Sequence, residues 1–499
     1  MNFSRIIEHW AGMTPAKCAV HFQGEDISYA ALWQHIEAAT VTLAQRFSVL
    51  PGERIAYLGL NHPDFIIFLM ALARLGAIAV PLNMRLAPAE LAAMLENAGV
   101  RLLLCDEAMR STGAAAASMA NVALESATAL TATAQENNAK TRSHQGFPGD
   151  DDSPVLLVYT SGTTGKPKGA LHTQANLLWN IQSAHAAQDI SVHDHLLNAL
   201  PMFHVGGLCI QLLPVLAAGG CVTLHARFDP AAWISDVALR RPTLSLLVPA
   251  TLKAIQDHPL WPTADLSSLR FINTGSSSVP RSMIDAVHAR GVPVSQVYGT
   301  TETGPVSIVL RPEHAVAHAG STGKPALHVE VRLVKADGSD AATGETGEIW
   351  VRGKNVVAGY WNDAQHPAFA DGWFRSGDLA YRDADGFYWV VGRSKDMIIS
   401  GGENIYPAEL ENVLADCAQI LEAAVIGQND AKWGEVALAV IVKKPDATLD
   451  EAGVKQLFEG RLARFKHPRR VIFVDALPKT ALGKVQKALL KEQLASMRP

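Results

Sequence analysis

The feature that most constrains the fold is a series of short, almost continuously apolar runs, each followed by small or polar residues. The stretches between these runs are long enough for helices, a pattern typical of parallel sheets covered on both faces. Ligands of such sheets bind beyond the carboxyl ends of the strands, so the residues after each run form the predicted site region. The runs are residues 155–158, 196–200, 244–248, 269–272 and 294–297.

The composition indicates a large globular α/β protein. Of the 499 residues, 48% are hydrophobic and 18% are charged, which allows extensive cores and argues against disorder. At about 100–200 residues per domain, this length suits two to four domains, or one large body with a smaller one appended. The formal net charge of −5 excludes a global cationic field that would hold nucleic acid or an anionic membrane.

The sequence contains no clear disulfide, zinc-binding, secretory or membrane-spanning pattern. The five cysteines are scattered without a Cys-x-x-Cys pair, which argues against a disulfide framework and a structural zinc site. The first residues lack the pattern of a secretory signal, and the most apolar stretch, residues 65–82, is interrupted by Arg74. We therefore expect a cytoplasmic protein without a membrane span.

Local patterns add elements at both ends of the chain. Residues 65–75 have the apolar character of a buried helix and lead to a strand at 77–80, whereas residues 137–153 have the composition of an exposed linker. After about residue 390 the pattern changes: a helix is predicted from Pro407, followed by strands at 423–427 and 437–442. These last elements suffice for a compact domain of about 100 residues.

A glycine- and threonine-rich loop follows the apolar run 155–158. Its small residues allow several backbone N–H groups to converge on one anion, and its hydroxyl and lysine side chains add further donors. The spacing is not that of a Walker loop, and a flexible turn with solvated lysines is the alternative interpretation. The predicted phosphate-binding residues are Thr160, Ser161, Gly162, Thr163, Thr164, Gly165 and Lys168.

This loop resembles the signature of the adenylate-forming superfamily, which includes acyl-CoA synthetases, peptide-synthetase adenylation domains and luciferases. Eight further segments match the family pattern in the same order, at residues 201–204, 298–302, 347–349, 359–361, 372–378, 392–396, 401–407 and 478–484. The resemblance implies a large N-terminal acyl-CoA-synthetase-like α/β domain over 1–392. It also implies a hinge at 393–396 and a small, mobile α+β domain over 397–499.

The resemblance implies an ATP-dependent carboxylic acid:CoA ligase that uses ATP, Mg²⁺ and coenzyme A. Such an enzyme first forms an acyl-adenylate and pyrophosphate, and then passes the acyl group to the thiol. The carboxylate is already a nucleophile, so the first step needs positioning and relief of charge rather than a base. The predicted partners are these small molecules, with no nucleic acid, and a homodimer is left open.

By the same resemblance, Lys484 bridges the substrate carboxylate and the α-phosphate, Thr301 hydrogen-bonds that phosphate, and Glu302 binds Mg²⁺. Taken alone, a lysine near the end of a chain is ordinarily a surface residue, and only the ordered set of motifs supports the role of Lys484. Tyr298 is expected against adenine, and Asp378 and Arg393 at the ribose. The remaining residues of the predicted nucleotide site are Gly275, Ser276, Ser277, Gly299 and Thr300.

The second step implies rotation of the small domain about Lys395, which brings Gly401 and Gly402 to a narrow pantetheine tunnel. An ordinary glycine turn is the alternative for these two residues. The basic run 461–470 is a candidate for contact with the phosphates of coenzyme A, although runs of charge are usually solvated faces.

His204 matches the gate between the ATP and acyl sites in the family. The chain also departs from the family pattern, because residues 274–280 contain three serines where Gly-Gly-Ala-Pro is common. Apolar walls with a few hydroxyls favour an aryl or hydroxycinnamyl acid, or one of medium chain length. The other predicted acyl-pocket residues are Val205, Gly206, Leu247, Ser277, Val306 and Ser307.

Two alternatives stay open from the sequence. An adenylation enzyme that loads a separate carrier protein would have the same motifs, and a non-catalytic nucleotide-binding relic would have the same fold. The joint presence of Thr301, Glu302, Asp378, Arg393 and Lys484 argues against the relic.

Overall fold

The computed structural model describes residues 2–130, 148–160, 167–275, 279–400, 403–430, 433–480 and 483–496. No helix within these ranges is both long and apolar enough to cross a membrane. The α-helices are α1 (Arg5–Met13), α2 (Tyr29–Val41), α3 (Pro63–Leu75), α4 (Pro88–Ala98), α5 (Arg110–Ala120), α6 (Gln174–Gln188), α7 (Val205–Cys209), α8 (Leu212–Ala217), α9 (Pro230–Arg240), α10 (Pro249–Gln256), α11 (Arg281–His288), α12 (Pro407–Ala415), α13 (Glu451–Gln456) and α14 (Lys487–Ser496).

Two sheets occupy the first two thirds of the chain. Their strands are β1 (Cys18–Phe22), β2 (Glu25–Ser28), β3 (Arg54–Leu58), β4 (Ile78–Pro81), β5 (Leu102–Cys105), β6 (Ala123–Ser126), β7 (Pro154–Thr160), β8 (Lys168–Thr173), β9 (His195–Asn198), β10 (Cys221–Leu224), β11 (Leu244–Leu247), β12 (Phe271–Gly275), β13 (Val294–Tyr298), β14 (Ile308–Val309) and β15 (Lys324–Pro325). The order is β6-β5-β3-β4-β7-β8 in one sheet and β15-β14-β13-β12-β11-β9-β10-β1-β2 in the other.

The five apolar runs predicted as strands are β7, β9, β11, β12 and β13. The last four lie in the nine-stranded sheet, where every pairing among β9 to β13 is parallel. Their carboxyl ends therefore meet at one edge, as the sequence predicted. The predicted helix and strand at 65–75 and 77–80 are α3 and β4. Most of the predicted linker, residues 137–147, lies outside the described residues.

A third sheet connects these layers to the last part of the chain. It contains β16 (Val329–Val334), β17 (Thr346–Gly353), β18 (Phe369–Ala370), β19 (Trp373–Arg382) and β20 (Tyr388–Arg393). All its pairings are antiparallel, and Asp378 on β19 lies opposite Arg393 on β20. This register brings two residues of the predicted ribose site together.

The remaining strands form a fourth sheet packed against α12 and α14. They are β21 (Ile398–Ser400), β22 (Glu403–Ile405), β23 (Ile420–Asp430), β24 (Gly434–Lys443) and β25 (Arg470–Phe473). The apolar side chains of this region pack into two clusters whose members all come from Ile398 onward. The predicted α/β fold with a large N-terminal and a small C-terminal part is confirmed, whereas the exact boundaries at 392 and 397 stay predictions.

Asn61 joins the two large sheets at the edge where the site lies. It follows β3, and its Nδ2 donates to the carbonyls of Leu200 (2.9 Å) and His225 (3.0 Å), which follow β9 and β10. Its Oδ1 accepts from the N–H of Met202 at 2.8 Å. The side chain is buried, so these three backbone groups have little access to water. Asn61 thereby fixes the segment that leads to His204.

We expect Asn61→Ala to lower the free energy of unfolding by about 2–4 kcal/mol, because it leaves buried backbone groups unpaired. Denaturant unfolding followed by tryptophan fluorescence measures this change. Gln34→Ala, at an exposed position of α2, is the control and should change the stability by less than about 0.5 kcal/mol. Equal stabilities for the two variants would contradict the role of Asn61.

Candidate active site

The predicted nucleotide residues gather at the carboxyl ends of the strands. Thr160 ends β7, Gly275 ends β12 and Tyr298 ends β13. A short 3₁₀ helix follows at Thr301–Thr303, and both Thr301 and Glu302 are buried in it. Parallel strands bring these distant segments to one place. The predicted residues Ser161, Gly162, Thr163, Thr164, Gly165, Ser276 and Ser277 lie outside the described residues.

Gly299 allows the chain to turn sharply after β13, ahead of Thr300 and the 3₁₀ helix. A Cβ atom at this position would lie 1.6 Å from the carbonyl oxygen of Pro305, far inside van der Waals contact. The glycine is therefore required by close backbone approach rather than by an unusual φ angle. This contact keeps Thr301 and Glu302 at the sheet edge.

Tyr298, Asp378 and Arg393 form one connected group. The Tyr298 hydroxyl donates to Asp378 Oδ2 at 3.0 Å, and Arg393 Nε lies 2.8 Å from Asp378 Oδ1. Burial, followed by the Asp378 charge, raises the pKa of Tyr298 well above its usual value, so the phenol stays a donor. The carboxylate is thus held from two sides and keeps lone pairs for further donors such as a diol.

Glu302 has a partner that the sequence did not assign. The hydroxyl of Tyr360 donates to Glu302 Oε1 at 2.6 Å, and burial followed by this carboxylate raises the pKa of Tyr360. One carboxylate oxygen is therefore oriented by the phenol. The other oxygen, Oε2, makes no hydrogen bond or ion pair with the described residues, and a carboxylate oxygen is a hard donor of the kind that suits a magnesium ion.

Lys168 lies next to this pair. Its Nζ is 2.6 Å from His366 Nε2 and 5.4 Å from the centre of the Tyr360 ring. Burial and the neighbouring ammonium lower the pKa of His366. Lys168, His366, Tyr360 and Glu302 therefore form a continuous wall of the site.

Sequence reasoning missed Tyr360 and His366 as site residues. Tyr360 was inside the matched segment 359–361, but that segment carried no assigned role. No sequence pattern singled out His366, because it approaches Lys168 only through folding, 198 positions along the chain.

Lys484 is carried by a small hairpin that contacts the large part of the protein. The backbone N–H of Thr480 donates to the Lys484 carbonyl at 2.8 Å, and that of Gly483 donates to the Thr480 carbonyl at 2.9 Å. Gly483 has a φ of +77°, and a Cβ at this position would lie 2.8 Å from the Cβ of Ala250 on α10. Both the left-handed backbone and the close approach therefore favour glycine.

Lys484 is solvent-exposed, although charged side chains of β19, β20 and the turn after β20 influence its ammonium. Partial desolvation, and then the positive charge of Arg393, lower the pKa of Lys484 from 10.5 to about 8. Asp378 and Asp396 act in the opposite direction. The predicted catalytic lysine is therefore electrostatically coupled to the predicted ribose-binding pair.

His204 lies at the start of α7 and is half-buried. Its Nδ1 accepts from the N–H of Gly206 at 3.1 Å, which caps the helix. Burial lowers the pKa of His204 to about 4, so the ring is neutral near pH 7. A neutral, half-buried imidazole is a suitable wall between a polar and an apolar compartment.

The predicted acyl-pocket residues divide between two sides of the sheet. Val306 belongs to an apolar cluster with Leu246 and Val248, the residues that flank Leu247. Leu247 itself faces the opposite side and packs in a cluster with Trp233. Strand side chains alternate between faces, so Leu246 and Val248 lie on the same side as Val306, whereas the assignment of Leu247 to the acyl pocket stays a prediction.

Other predicted pocket residues are buried near the same edge. Ser307 donates its hydroxyl to Thr303 at 2.8 Å, and Asn180 accepts from the N–H of Val306 at 3.0 Å. Val205 packs into the large core cluster and not into the cluster that contains Val306.

The second-step residues are only partly described. Arg393 ends β20 and Lys395 is exposed in the 3₁₀ turn that follows, whereas Gly401 and Gly402 lie outside the described residues. Within the basic run 461–470, Arg461 pairs with Asp416 at 3.2 Å and Lys466 pairs with Glu409 at 2.7 Å. These two cations already have carboxylate partners.

Comparison with known families agrees with this arrangement. Residues 7–361 match the model of the AMP-binding enzyme family, and residues 409–484 match the AMP-binding enzyme C-terminal domain. The second match ends at Lys484. Together these matches cover well over half of the chain.

Two relatives and one solved structure are similar over nearly the full length. The chain is 45% identical to an indoleacetate–CoA ligase of Aromatoleum aromaticum, covering 99% of this chain and 98% of the relative. It is 40% identical to a feruloyl-CoA synthase of an Amycolatopsis species, covering 97% of each. The structure of o-succinylbenzoate CoA synthetase from Bacillus subtilis, in complex with its acyl-adenylate intermediate, has a TM-score of 0.86 at 32% identity and 97% coverage of both chains.

The predicted AMP-forming acid:CoA ligase activity is therefore confirmed. By its sequence, its two family matches and its fold, the chain belongs to the AMP-binding enzyme family, the adenylate-forming superfamily that includes the acyl-CoA synthetases.

Proposed function

We propose that this ligase activates an aryl acid whose ring is joined to the carboxylate by a short chain, and that Lys484 is its adenylation cation. The observation that carries the proposal is the packing of the Lys484 hairpin on α10, where Arg393 and Asp378 act electrostatically on the Lys484 ammonium. This placement suits a residue that acts on the nucleotide bound at the strand ends.

Adenylation brings a carboxylate against an anionic α-phosphate. An ammonium that contacts both anions lowers their repulsion most in the transition state, where the two approach closest. In this proposal Lys484 supplies that charge, and the hydroxyl of Thr301 donates to the phosphate. Tyr298 lies against adenine, while Asp378 accepts from the ribose hydroxyls and Arg393 holds Asp378.

The residues present fit a magnesium ion bound by one protein carboxylate. Among the described residues no group of three or more His, Cys, Asp or Glu side chains could hold a metal by itself. Glu302 offers Oε2 while Tyr360 orients Oε1, and the triphosphate supplies further hard oxygens. When bound, the ion neutralises phosphate charge, and Tyr360 keeps the Glu302 carboxylate in one orientation.

For the second step we propose that residues 393–396, with Lys395 at the pivot, let the region from 397 onward turn relative to the rest. This turn would withdraw Lys484 and bring Gly401 and Gly402 to the acyl-adenylate, where the thiol of coenzyme A attacks. The separate apolar clusters beyond Ile398 support such a rigid-body motion. The large domain would then be residues 1–392. A homodimer stays a prediction.

The relatives support the aryl class of acid. Indoleacetate and ferulate both place an aromatic ring one or two carbons from the carboxylate, and both rings carry a hydrogen-bond donor. The wall formed by Leu246, Val248 and Val306 is apolar and buried, as an aromatic ring requires. His204 would separate this ring from the phosphates.

Lys484→Ala should lower the rate of acyl-adenylate formation by about 100-fold or more, because it removes a preorganised charge from the transition state. Thioester formation from a supplied aryl-adenylate and coenzyme A should change by less than about threefold. Pyrophosphate release and thioester absorbance measure the two half-reactions separately. Lys479→Ala, in the same hairpin but paired with Glu422, is the control. An equal loss in both half-reactions would refute the assignment.

The binding of a non-hydrolysable ATP analogue should weaken as the pH rises above 8. Lys484 carries its charge below its pKa of about 8 in the free protein and loses it above, whereas bound phosphates favour the charged form. The association constant should therefore fall by about three- to tenfold between pH 8 and 9.5 in calorimetry. Lys484→Arg keeps its charge and should show a flatter profile. Identical profiles would show that Lys484 does not contact the nucleotide.

A pyrophosphate-release screen tests the class of acid. Indole-3-acetate and ferulate should exceed octanoate in kcat/KM by at least about tenfold, because a flat wall buries a ring better than a flexible chain. Thioester formation should require coenzyme A. A preference for octanoate would overturn the aryl assignment and leave the ligase reaction intact.

A further inference from the structure

Three amide side chains meet in the protein interior, away from the nucleotide residues. Gln188 ends α6, Gln211 lies between α7 and α8, and Asn273 is in the middle of β12. Gln211 Nε2 donates to Gln188 Oε1 at 3.0 Å, and Asn273 Nδ2 donates to the same oxygen at 2.5 Å. Each residue is at most 1% exposed. We call these three residues the amide cluster.

The orientation of the amide cluster is fixed by the main chain. Gln188 Nε2 donates to the carbonyl of Ile210 at 3.3 Å, so its Oε1 must face the other two amides. Turning either neighbouring amide over would bring two carbonyl oxygens together at Gln188. Gln211 and Asn273 therefore each donate one amide N–H to Gln188 Oε1.

This orientation leaves two buried acceptors unpaired. Gln211 Oε1 and Asn273 Oδ1 have no hydrogen-bond partner among the described residues. An unpaired buried acceptor is destabilising, and such groups in native proteins usually mark a missing water or ligand. Because both free atoms are oxygens, the missing group must be a donor.

The amide cluster lies on the same side of the sheet as the proposed acyl wall. Asn273 is in register with Leu246 on the neighbouring strand, so the two side chains share a face. Leu246 packs with Val306, Ala184 and Ile210. Ile210 is adjacent to Gln211, and Ala184 is one helical turn from Gln188 on α6.

The amide cluster is also at a suitable depth. Asn273 is two residues before Gly275, the last residue of β12. It therefore lies about 7 Å deeper than Gly275, measured from the sheet edge where the nucleotide residues gather. His204 precedes α7 and Gln211 follows it. At about 1.5 Å per residue, the two residues are about 10 Å apart along the helix direction. These lengths match an acid whose ring is one or two carbons from its carboxylate. A carboxylate at His204 would place the far side of the ring at the amide cluster.

We propose that the amide cluster is the inner end of the acyl pocket, where Gln211 Oε1 and Asn273 Oδ1 accept a hydrogen bond from a ring N–H or O–H of the substrate. This inference rests on the proposed aryl acid ligase and narrows its substrate to rings with a donor on the edge opposite the side chain. A ring with only C–H groups, or a fatty chain, leaves both acceptors unpaired and is rejected.

Matched acids test the proposal in the intact enzyme. Indole-3-acetate is compared with 1-benzofuran-3-acetate, in which oxygen replaces the N–H, and 4-hydroxycinnamate is compared with 4-fluorocinnamate. In at least one pair the donor acid should have a kcat/KM for pyrophosphate release about 100-fold or more above its partner. Ratios within about threefold for both pairs, with aryl acids still activated, would overturn this inference alone. Failure to activate any aryl acid would overturn the proposed function itself.

Variants then assign the effect to the amide cluster. The ratio to compare is kcat/KM for the acid with the ring donor divided by kcat/KM for its analogue without one. Asn273→Leu and Gln211→Leu should each lower this ratio at least about tenfold, mainly by loss of activity on the donor acid. Gln296→Leu is the control, because Gln296 is also buried on the adjacent strand but faces the other side of the sheet. An unchanged ratio in the cluster variants, or an equal change in the control, would overturn the assignment. If these variants do not fold, the kcat/KM ratios of the matched acids with the wild-type enzyme still test the proposal.

Discussion

Repulsion between a carboxylate and an α-phosphate is the constraint that the arrangement of this protein must overcome. In the proposed mechanism Lys484 supplies the cation that relieves this repulsion, and its hairpin packs on α10. Gly483 allows that contact, since its φ is positive and its Cα approaches Ala250 closely. Partial desolvation and the neighbouring Arg393 charge lower the pKa of Lys484, so its charged form is favoured most when phosphate is present.

The rest of the site holds anionic and polar groups in fixed orientations around that cation. Parallel strands deliver Tyr298 and the segment that carries Glu302, while the third sheet delivers Asp378 and Arg393 as a registered pair. Each carboxylate has a phenol partner: Tyr298 for Asp378 and Tyr360 for Glu302. These bonds leave little freedom to reorganise during the reaction, which is the basis of electrostatic catalysis.

Much of the fold could be predicted from the sequence because buried parallel strands need continuous apolar runs. The apolar runs therefore predicted β7, β9 and β11 to β13, and the ordered motifs identified the family. The side of the sheet that a residue faces was harder to predict. Leu246 and Leu247 are adjacent and identical in type, so the sequence alone does not assign either of them to one face. Contacts between distant segments could not be predicted either. Tyr360 reaches Glu302, and Gln188 reaches Asn273, only after the sheets and helices pack.

A structure of the enzyme with a non-reactive aryl-sulfamoyl adenosine, a mimic of the acyl-adenylate, tests the central claim most directly. We expect Lys484 Nζ at about 2.7–3.2 Å from the acyl carbonyl or the sulfamoyl oxygen, with the hairpin still on α10. A hairpin docked on α10 with Nζ more than about 6 Å from both oxygens, beyond any direct hydrogen bond, would contradict the account.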